Sequence, residues 1–294
     1  MDFREKLVVK PGAKVKLDDI DPAYKGGHES HQSAAAEIAR HTASLERLQY
    51  RLYAENKRSV LIVLQGLDAA GKDGVIRHVI SGTNPQGVNV ACFRQPRDED
   101  LAHDFLWRAH RLTPANGEIM IFNRSHYEDV LVVRVHSIVP KSMWSRRYDR
   151  IREFETLLND AGTRIVKFYL HISPDEQLAR FKERLDDPLR TWKIRDSDYT
   201  ERKYWPAYID AFEDAMGETS TTHAPWYVIP SNHKWFRDLA ISSILVDTLD
   251  EMDIQIPKPL VDLKAIHRKY HSAKIEQAKD QQRGLLPPRP KNAQ

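Results

Sequence analysis

Short apolar segments alternate with helix-like segments along most of the chain. The segment SVLIVLQ at 59–65 is apolar at its five central positions, which is typical of a strand buried on both faces. Similar runs predict strands at 88–95, 118–123, 163–172 and 224–230. Apolar residues three and four positions apart predict helices at 32–57, 98–112, 126–136, 142–160 and 235–252, with two more beginning after the first strand and after Ser173. The alternation predicts an α/β fold with a five-stranded parallel sheet and helices on both faces.

Three regions depart from this alternation. Residues 1–31 are polar and mixed, with several prolines and glycines, and we expect an irregular N-terminal arm before a main domain at 32–255. The region 185–217 is charged and aromatic, and we interpret it as a lid-like helical insertion. Residues 256–294 form a C-terminal extension, whose proline-rich end at 283–294 we expect to fray.

The composition argues against a nucleic-acid-binding, membrane-spanning or disulfide-bonded protein but does not indicate a particular function. The 294 residues carry 45 basic and 42 acidic side chains, and the net charge of +3 does not indicate a nucleic-acid partner. No segment approaches the roughly 20 apolar residues of a membrane span, and the start lacks an apolar signal region. Cys92 is the single cysteine, so we expect no intrachain disulfide, a reducing cytoplasmic location and a buried structural thiol.

The segment GLDAAGK at 66–72 has the spacing of a phosphate-binding loop. It follows the first predicted strand and precedes a predicted helix, as the mechanism of such loops requires. The backbone N–H groups of such a loop and the start of its helix surround phosphate oxygens, and Lys72 adds a positive charge. The loop residues that we expect to bind phosphate through their backbone are Gly66, Ala69, Ala70 and Gly71. The alternative is a glycine-containing turn that binds nothing.

Two acidic residues make this loop unusual. Asp73 occupies the position of the Ser or Thr that normally binds Mg²⁺, and Asp68 lies inside the loop. A bare carboxylate about 4 Å from a phosphate charge costs on the order of 4 kcal/mol at an effective dielectric constant near 20. A divalent cation between the two groups reverses the sign of that interaction. We therefore predict that Asp68 holds or orients Mg²⁺; the alternative is that Asp68 only caps the loop backbone.

A second polar motif, FNRSHYED at 122–129, ends the third predicted strand. Ligands of parallel α/β sheets lie beyond the carboxyl ends of the strands, so we expect Arg124 to lie near the phosphate loop. Its guanidinium can bridge donor and acceptor phosphates; the alternative is a surface salt bridge. Asn123 can bind a metal-bound water, Glu128 is expected on the following helix, and His126 is expected to be structural.

Basic residues are frequent in and before the expected lid. We select Arg180, Arg184, Lys193 and Arg195 as candidates that close over phosphates and exclude water. An ordinary solvated helix face explains most of the other charges there.

Several of these motifs together resemble the polyphosphate kinase 2 family. They are GLDAAGKDG (66–74), HDFLWRAH (103–110), FNRSHYEDVL (122–131), RIVKFYLHIS (164–173), TWKI (191–194) and APWYVIP (224–230). The resemblance covers roughly residues 30–255. It implies a three-layer α/β/α P-loop kinase fold similar to thymidylate kinase, with a helical lid.

The resemblance also implies a chemistry, namely Mg²⁺-dependent phosphoryl transfer between inorganic polyphosphate and nucleotides. By position, Asp68 resembles the essential loop aspartate of the family, Lys72 the loop lysine, and Arg124 the arginine of the second motif. Asn123 stands where some members have Asp, so it is not counted as a metal ligand. The form with Glu128 is similar to a subclass that phosphorylates nucleoside mono- and diphosphates. The family further implies a homo-oligomer, commonly a tetramer.

A polyphosphate chain requires an elongated basic channel, which Arg77, Arg124 and the lid can line. Two other functions remain open at this point. One is an ATP-dependent nucleoside monophosphate kinase, which has the same fold. The other is a non-catalytic P-loop module that binds a nucleotide and signals through a partner.

Overall fold

The computed structural model describes residues 2–283 together with Leu285 and Pro287. Within those residues the strands form one six-stranded sheet. They are β1 (Val8–Val9), β2 (Ser59–Gln65), β3 (Val88–Cys92), β4 (Ile119–Asn123), β5 (Thr163–His171) and β6 (Trp226–Pro230). Their order across the sheet is β1-β6-β5-β2-β4-β3. All neighbouring strands run parallel except β1, which is antiparallel to β6.

Helices connect the parallel strands. In chain order the α-helices are α1 (Phe3–Leu7), α2 (His31–Glu55), α3 (Lys72–Val79), α4 (Asp98–Leu101), α5 (Trp107–His110), α6 (Val132–Val135), α7 (Lys141–Asp160), α8 (Pro174–Asp186), α9 (Asp196–Thr200), α10 (Trp205–Thr219), α11 (Lys234–Glu251) and α12 (Leu263–Gln282). Short 3₁₀ helices cover Leu17–Asp19, Pro85–Gly87, His126–Asp129, Thr191–Lys193 and Glu201–Tyr204.

The central strand β2 separates two apolar cores. Val60, Ile62 and Leu64 face one core, which α2, α3 and α11 complete. Leu61 and Val63 face the other core, to which α7 and α10 contribute. Successive side chains of a strand point to opposite faces of a sheet, so a strand that is apolar throughout supplies both cores. The result is the three-layer α/β/α arrangement that the sequence predicts.

The predicted number of strands was wrong by one, because residues 3–9 of the N-terminal arm form α1 and β1 rather than irregular chain. Asp2 accepts hydrogen bonds from the first turn of α1, and Val8 and Val9 then pair with Tyr227 and Trp226 on β6. Phe3 is 1% exposed and packs edge-to-face on Phe236. The arm therefore belongs to the core and covers one edge of the sheet.

Two predicted helices are broken into short pieces. The segment at 98–112 forms α4 and α5, since Asp104 accepts a hydrogen bond from the Leu106 N–H and starts a new turn. The segment at 126–136 forms a 3₁₀ helix followed by α6, and Ser125 caps it by accepting from the Tyr127 N–H. Apolar spacing predicted the extent of both segments but did not reveal these internal caps.

The region predicted as a lid is also shorter than expected. Helix α8 continues to Asp186, and α10 buries Phe212 and Met216 in the core. Only about residues 187–204, with α9 and two 3₁₀ helices, lie outside the core. Cys92 is exposed, contrary to the buried thiol that we expected, because β3 is an edge strand.

The chain divides into two compact units. One ends at Gln255 and contains the sheet, and the other begins at Ile256 and contains α12. The fraying predicted for 283–294 concerns residues that, apart from Arg283, Leu285 and Pro287, lie outside the described part of the chain.

The buried arm generates a stability prediction. We expect Phe3→Ala to lower the free energy of unfolding by about 3 kcal/mol, because it leaves a cavity beside Phe236. Denaturant unfolding followed by circular dichroism measures the change. The matched control is Leu101→Ala, whose parent side chain is 69% exposed and whose loss we expect to cost under about 0.5 kcal/mol. Equal effects of the two changes would show that the arm adds nothing to the core.

Candidate active site

The phosphate loop between β2 and α3 is held by side chains that bind its carbonyl groups. Lys72 Nζ donates to the carbonyls of Gly66 (2.7 Å) and Leu67 (3.3 Å). Gln177 of α8 donates to the carbonyl of Asp68 at 2.9 Å. Arg180 Nη1 donates to the next two carbonyls, of residues 69 and 70, at 2.8 and 2.9 Å. Five consecutive loop carbonyls are thus bound by side chains.

Arg180 therefore differs from its predicted role as a direct phosphate contact. Its side chain is 5% exposed, and its remaining donors bind Glu176 and the carbonyls of Ser231 and Asn232. The sequence places it on the helix after β5, but its length allows it to reach back beneath the loop. Its position in the structure is that of a support for the loop backbone.

The loop backbone requires glycine at both ends. Gly66 has φ +150°, and a β-carbon there would lie 2.9 Å from the Leu170 carbonyl oxygen. Gly71 has φ +110°, and a β-carbon there would lie 2.0 Å from Nη1 of Arg237. Ala69 also lies in the left-handed region, at φ +62°. Ala70 is fully buried, and its N–H donates to the Leu67 carbonyl at 3.1 Å, so this amide is already used within the loop and does not have the phosphate-binding role that we predicted.

Lys72 is buried at the start of α3. Burial and, to a smaller extent, the nearby Arg124 lower the pKa of its ammonium to about 8, although Asp68 and Glu128 oppose the shift. Without a bound anion, the Lys72 ammonium therefore loses its proton more readily than an exposed lysine does.

Arg124 joins the two acidic residues of the site. Its Nη2 donates to Asp68 Oδ1 at 2.6 Å, and its Nη1 lies 3.6 Å from Glu128 Oε2. Burial opposes the ionisation of Asp68, but Arg124 and Lys72 overcome this effect and hold its pKa below the usual value. Glu128 lies on the 3₁₀ helix, and burial raises its pKa although Arg124 opposes that shift. The motif predicted to lie beside the phosphate loop does so.

The backbone of Arg124 is strained and is supported from behind. Its φ of +58° is unfavourable for a residue with a side chain. Its N–H donates to the Leu64 carbonyl at 3.0 Å. Behind it, Lys167 is fully buried and donates to Glu155 (2.5 Å) and to the Tyr127 hydroxyl (2.9 Å). Tyr127 also donates to Glu155 at 2.8 Å, which fastens the turn that carries Arg124.

Asp73 connects the loop helix to the lid. Its carboxylate accepts from Asn123 Nδ2 at 3.0 Å and from Lys193 Nζ at 3.1 Å. Burial opposes the ionisation of Asp73, yet Lys193 and Asn123 hold its pKa below the usual value. Asn123 thus binds Asp73 directly, and Lys193 binds the same carboxylate at the start of α3. The contact of Lys193 with phosphate stays a prediction.

The other predicted basic residues line the same groove. Arg77 lies one turn along α3, Arg195 precedes α9, and Arg184 lies on α8 with Nη1 3.8 Å from Asp198. The groove has a volume of about 1160 Å³. It is lined by eleven lysine and arginine side chains and by five acidic ones, so its surface is strongly positive.

Several lining residues were missed from the sequence. Arg94 follows β3, Arg190 lies in the lid, and Lys234 and Arg237 begin α11 after β6. The rule that ligands lie beyond the carboxyl ends of parallel strands identified the residues after β2 and β4. Applied to β3 and β6 as well, it identifies Arg94, Lys234 and Arg237.

The carboxylate oxygens near the loop are of the type that binds Mg²⁺, but they are too few to surround the ion by themselves. The Asp68 carboxylate is about one-third exposed (35%) and lies beside Glu128. In the described part of the chain, no three His, Cys, Asp or Glu side chains come together as a metal site. Mg²⁺ commonly binds one or two carboxylates and takes its other ligands from water and substrate phosphates, which this arrangement allows.

Comparison with known proteins identifies the family. The model of polyphosphate kinase 2 matches residues 28–257. The chain belongs to the polyphosphate kinase 2 family. An AMP/ADP-polyphosphate phosphotransferase of Meiothermus ruber is 51% identical over 259 residues, which are 87% of this chain and 96% of that protein. An ADP-polyphosphate phosphotransferase of Rhodopseudomonas palustris is 44% identical over 266 residues, which are 85% of this chain and 91% of that protein.

A solved structure agrees with this assignment. The crystal structure of polyphosphate kinase 2 from Arthrobacter aurescens TC1 is similar with a TM-score of 0.89 at 39% identity, over 92% of this chain and 97% of that one. The family and the α/β P-loop kinase fold predicted from the motifs are confirmed, with the sixth strand as the correction. Across the described residues, no helix combines the length and apolar character needed to cross a membrane.

The low pKa of Lys72 generates a pH prediction. Its ammonium is charged below pH 8 and loses its proton above about pH 8 in the ligand-free protein, so we expect the affinity for ADP to fall as the pH rises from 7.5 to 9.5. The ADP phosphates remain fully ionised in this range. Calorimetric titration at constant ionic strength measures the change. Lys72→Arg is the control, because arginine keeps its charge and removes the dependence; an equally flat profile for the parent protein would contradict the prediction.

Proposed function

We propose that this chain transfers the terminal phosphoryl group between inorganic polyphosphate and AMP or ADP, reversibly and with Mg²⁺. The observation that carries the proposal is the large basic groove at the phosphate loop. Its charge suits a polyanion, and its volume exceeds the roughly 300–1000 Å³ of a site for one small ligand. The names of the relatives agree with this substrate pair and do not favour an ATP-dependent nucleoside monophosphate kinase.

The arrangement of the site supports a specific division of roles. The loop amides other than that of Ala70, together with Lys72, bind the phosphoryl group that is transferred, since side chains already occupy the loop carbonyls. Arg124 lies beside this group and offsets the negative charge that develops on the oxygens during transfer. The part of the lid at 187–204 excludes water, which otherwise competes as the acceptor.

Mg²⁺ would be held by Asp68, with Glu128 beside it. The bound cation would neutralise charge on the phosphate oxygens. The ion pair of Asp68 with Arg124 orients the carboxylate at the loop before any ligand binds. The cytoplasmic location and the homo-oligomeric state remain predictions; size-exclusion chromatography with light scattering tests the latter.

The reaction is tested by omitting every nucleoside triphosphate donor. We expect the purified protein with polyphosphate, Mg²⁺ and AMP or ADP to form ADP or ATP, measured by chromatography. Lys72→Ala should lower the rate on the order of 100-fold or more, because the loop loses its only lysine charge. Arg150→Gln is the control for charge, since Arg150 is exposed on α7 and outside the groove. A protein that forms product only when ATP is supplied would be a nucleoside monophosphate kinase.

The role of Asp68 is tested with Asp68→Asn, which keeps the shape and removes the charge. We expect a severe loss of turnover and a higher Mg²⁺ requirement, while metal-free nucleotide binding is unchanged or tighter. If Asp68 only capped the loop, the variant would lose about 1 kcal/mol of stability and keep its Mg²⁺ response. Asp175→Asn, on the exposed first turn of α8, is the matched control. A normal Mg²⁺ titration with normal turnover would falsify the metal assignment.

A further inference from the structure

Arg237 lies at the groove but has no part in the roles described above. It is in the first turn of α11, beyond the carboxyl end of β6, and its side chain is 3% exposed. Its Nε and Nη2 both donate to Asp238 Oδ1, at 2.8 and 2.7 Å. Two hydrogen bonds to one oxygen fix the plane of the guanidinium and therefore the direction of Nη1.

The remaining nitrogen, Nη1, lies against the start of α3. A β-carbon at Gly71 would lie 2.0 Å from it, and one at Gly74 would lie 3.2 Å from it. Nη1 has no hydrogen-bond acceptor among the residues that the structure describes, whereas the donors of the neighbouring Arg180 are all used. Nη1 is not among the fully buried polar atoms that lack a partner, so it reaches the surface of the groove, where a ligand can supply its acceptor.

The charges around Nη1 favour an anion. Nη1 of Arg180 lies 3.6 Å from the same β-carbon position on Gly71, so two guanidinium groups meet there. Asp238 accepts hydrogen bonds from Nε and Nη2 of Arg237, and Glu176 accepts one from Nε of Arg180. Neither carboxylate is bound to Nη1 of Arg237. The start of α3 adds a partial positive charge. An anion at this point relieves the repulsion and supplies the missing acceptor.

We propose that Nη1 of Arg237 binds a phosphate of the polyphosphate chain beyond the group held by the loop, so that Arg237 favours long donors over short ones. This inference rests on the proposed function. The lining of the groove also includes His31 of α2, His78 of α3 and Lys234 of α11. A long chain reaches beyond the loop to this part of the groove, whereas pyrophosphate is bound by the loop alone.

The test compares long-chain polyphosphate with pyrophosphate as ligands of Arg237→Gln. Glutamine can still donate to Asp238 but lacks the charge and Nη1. We expect the dissociation constant for long chains to rise about tenfold, as for the loss of one charge-assisted hydrogen bond, and that for pyrophosphate to stay within roughly twofold. Calorimetry measures both constants, and thermal unfolding confirms that the variant is folded.

A second variant keeps Arg237 and moves it. In Gly74→Ala the new methyl group meets Nη2 at 2.9 Å and Nη1 at 3.2 Å, so the guanidinium must shift. Alanine within α3 also favours the helix, so the fold is preserved. We expect the same selective loss of long-chain affinity. Arg150→Gln, which removes a positive charge outside the groove, should leave both affinities unchanged.

The outcomes separate this inference from the proposed function. Selective loss of long-chain affinity in both variants supports the role of Arg237. Unchanged long-chain affinity in folded Arg237→Gln, or equal losses for both ligands, overturns it while the transfer reaction of the parent stands. If the parent protein neither binds nor uses polyphosphate, the proposed function and this inference both fail.

Discussion

The site depends on where the carbonyl groups of the phosphate loop point. A loop can present its N–H groups to an anion only if its carbonyls are satisfied on the opposite side. Here Lys72, Gln177 and Arg180 bind five consecutive carbonyls, so cationic or amide donors replace water around the loop. Helix α8 is thus part of the phosphate site although it need not touch the ligand, because it carries two of these three side chains.

A buried ion pair contacts Tyr127, which follows Arg124 in the second motif. Lys167 and Glu155 form an ion pair with no exposure, and Tyr127 and Thr219 complete its hydrogen bonds. Separating the two members of such a pair would leave an unpaired buried charge, which is strongly unfavourable. The pair therefore keeps its arrangement. The pair thereby supports the strained backbone of Arg124, which lies three residues before Tyr127 in the same motif.

The sequence predicted those parts of the molecule that short-range patterns specify. The apolar run of β2 and the glycine spacing of the loop predicted the first strand and the phosphate site, and the cap at Ser173 predicted the start of α8. Contacts between distant residues were not predictable in this way. The pairing of Arg124 with Asp68, the use of Arg180 beneath the loop and the docking of Phe3 all join residues far apart in the chain. A long polar side chain in a pattern indicates exposure, and only the packed structure shows which of them turn inward.

The pairing of β1 with β6 determines the order in which the chain can assemble. Val8 and Val9 precede their partners Tyr227 and Trp226 by more than two hundred residues. At about 5–20 residues per second, a ribosome needs roughly 10–45 s to make the intervening chain. During that time Phe3 has no core to enter, and two extended valines lie next to it. The arm is therefore the last part of the sheet to close, and the nascent chain exposes a short apolar segment that chaperones can bind until the final strand arrives.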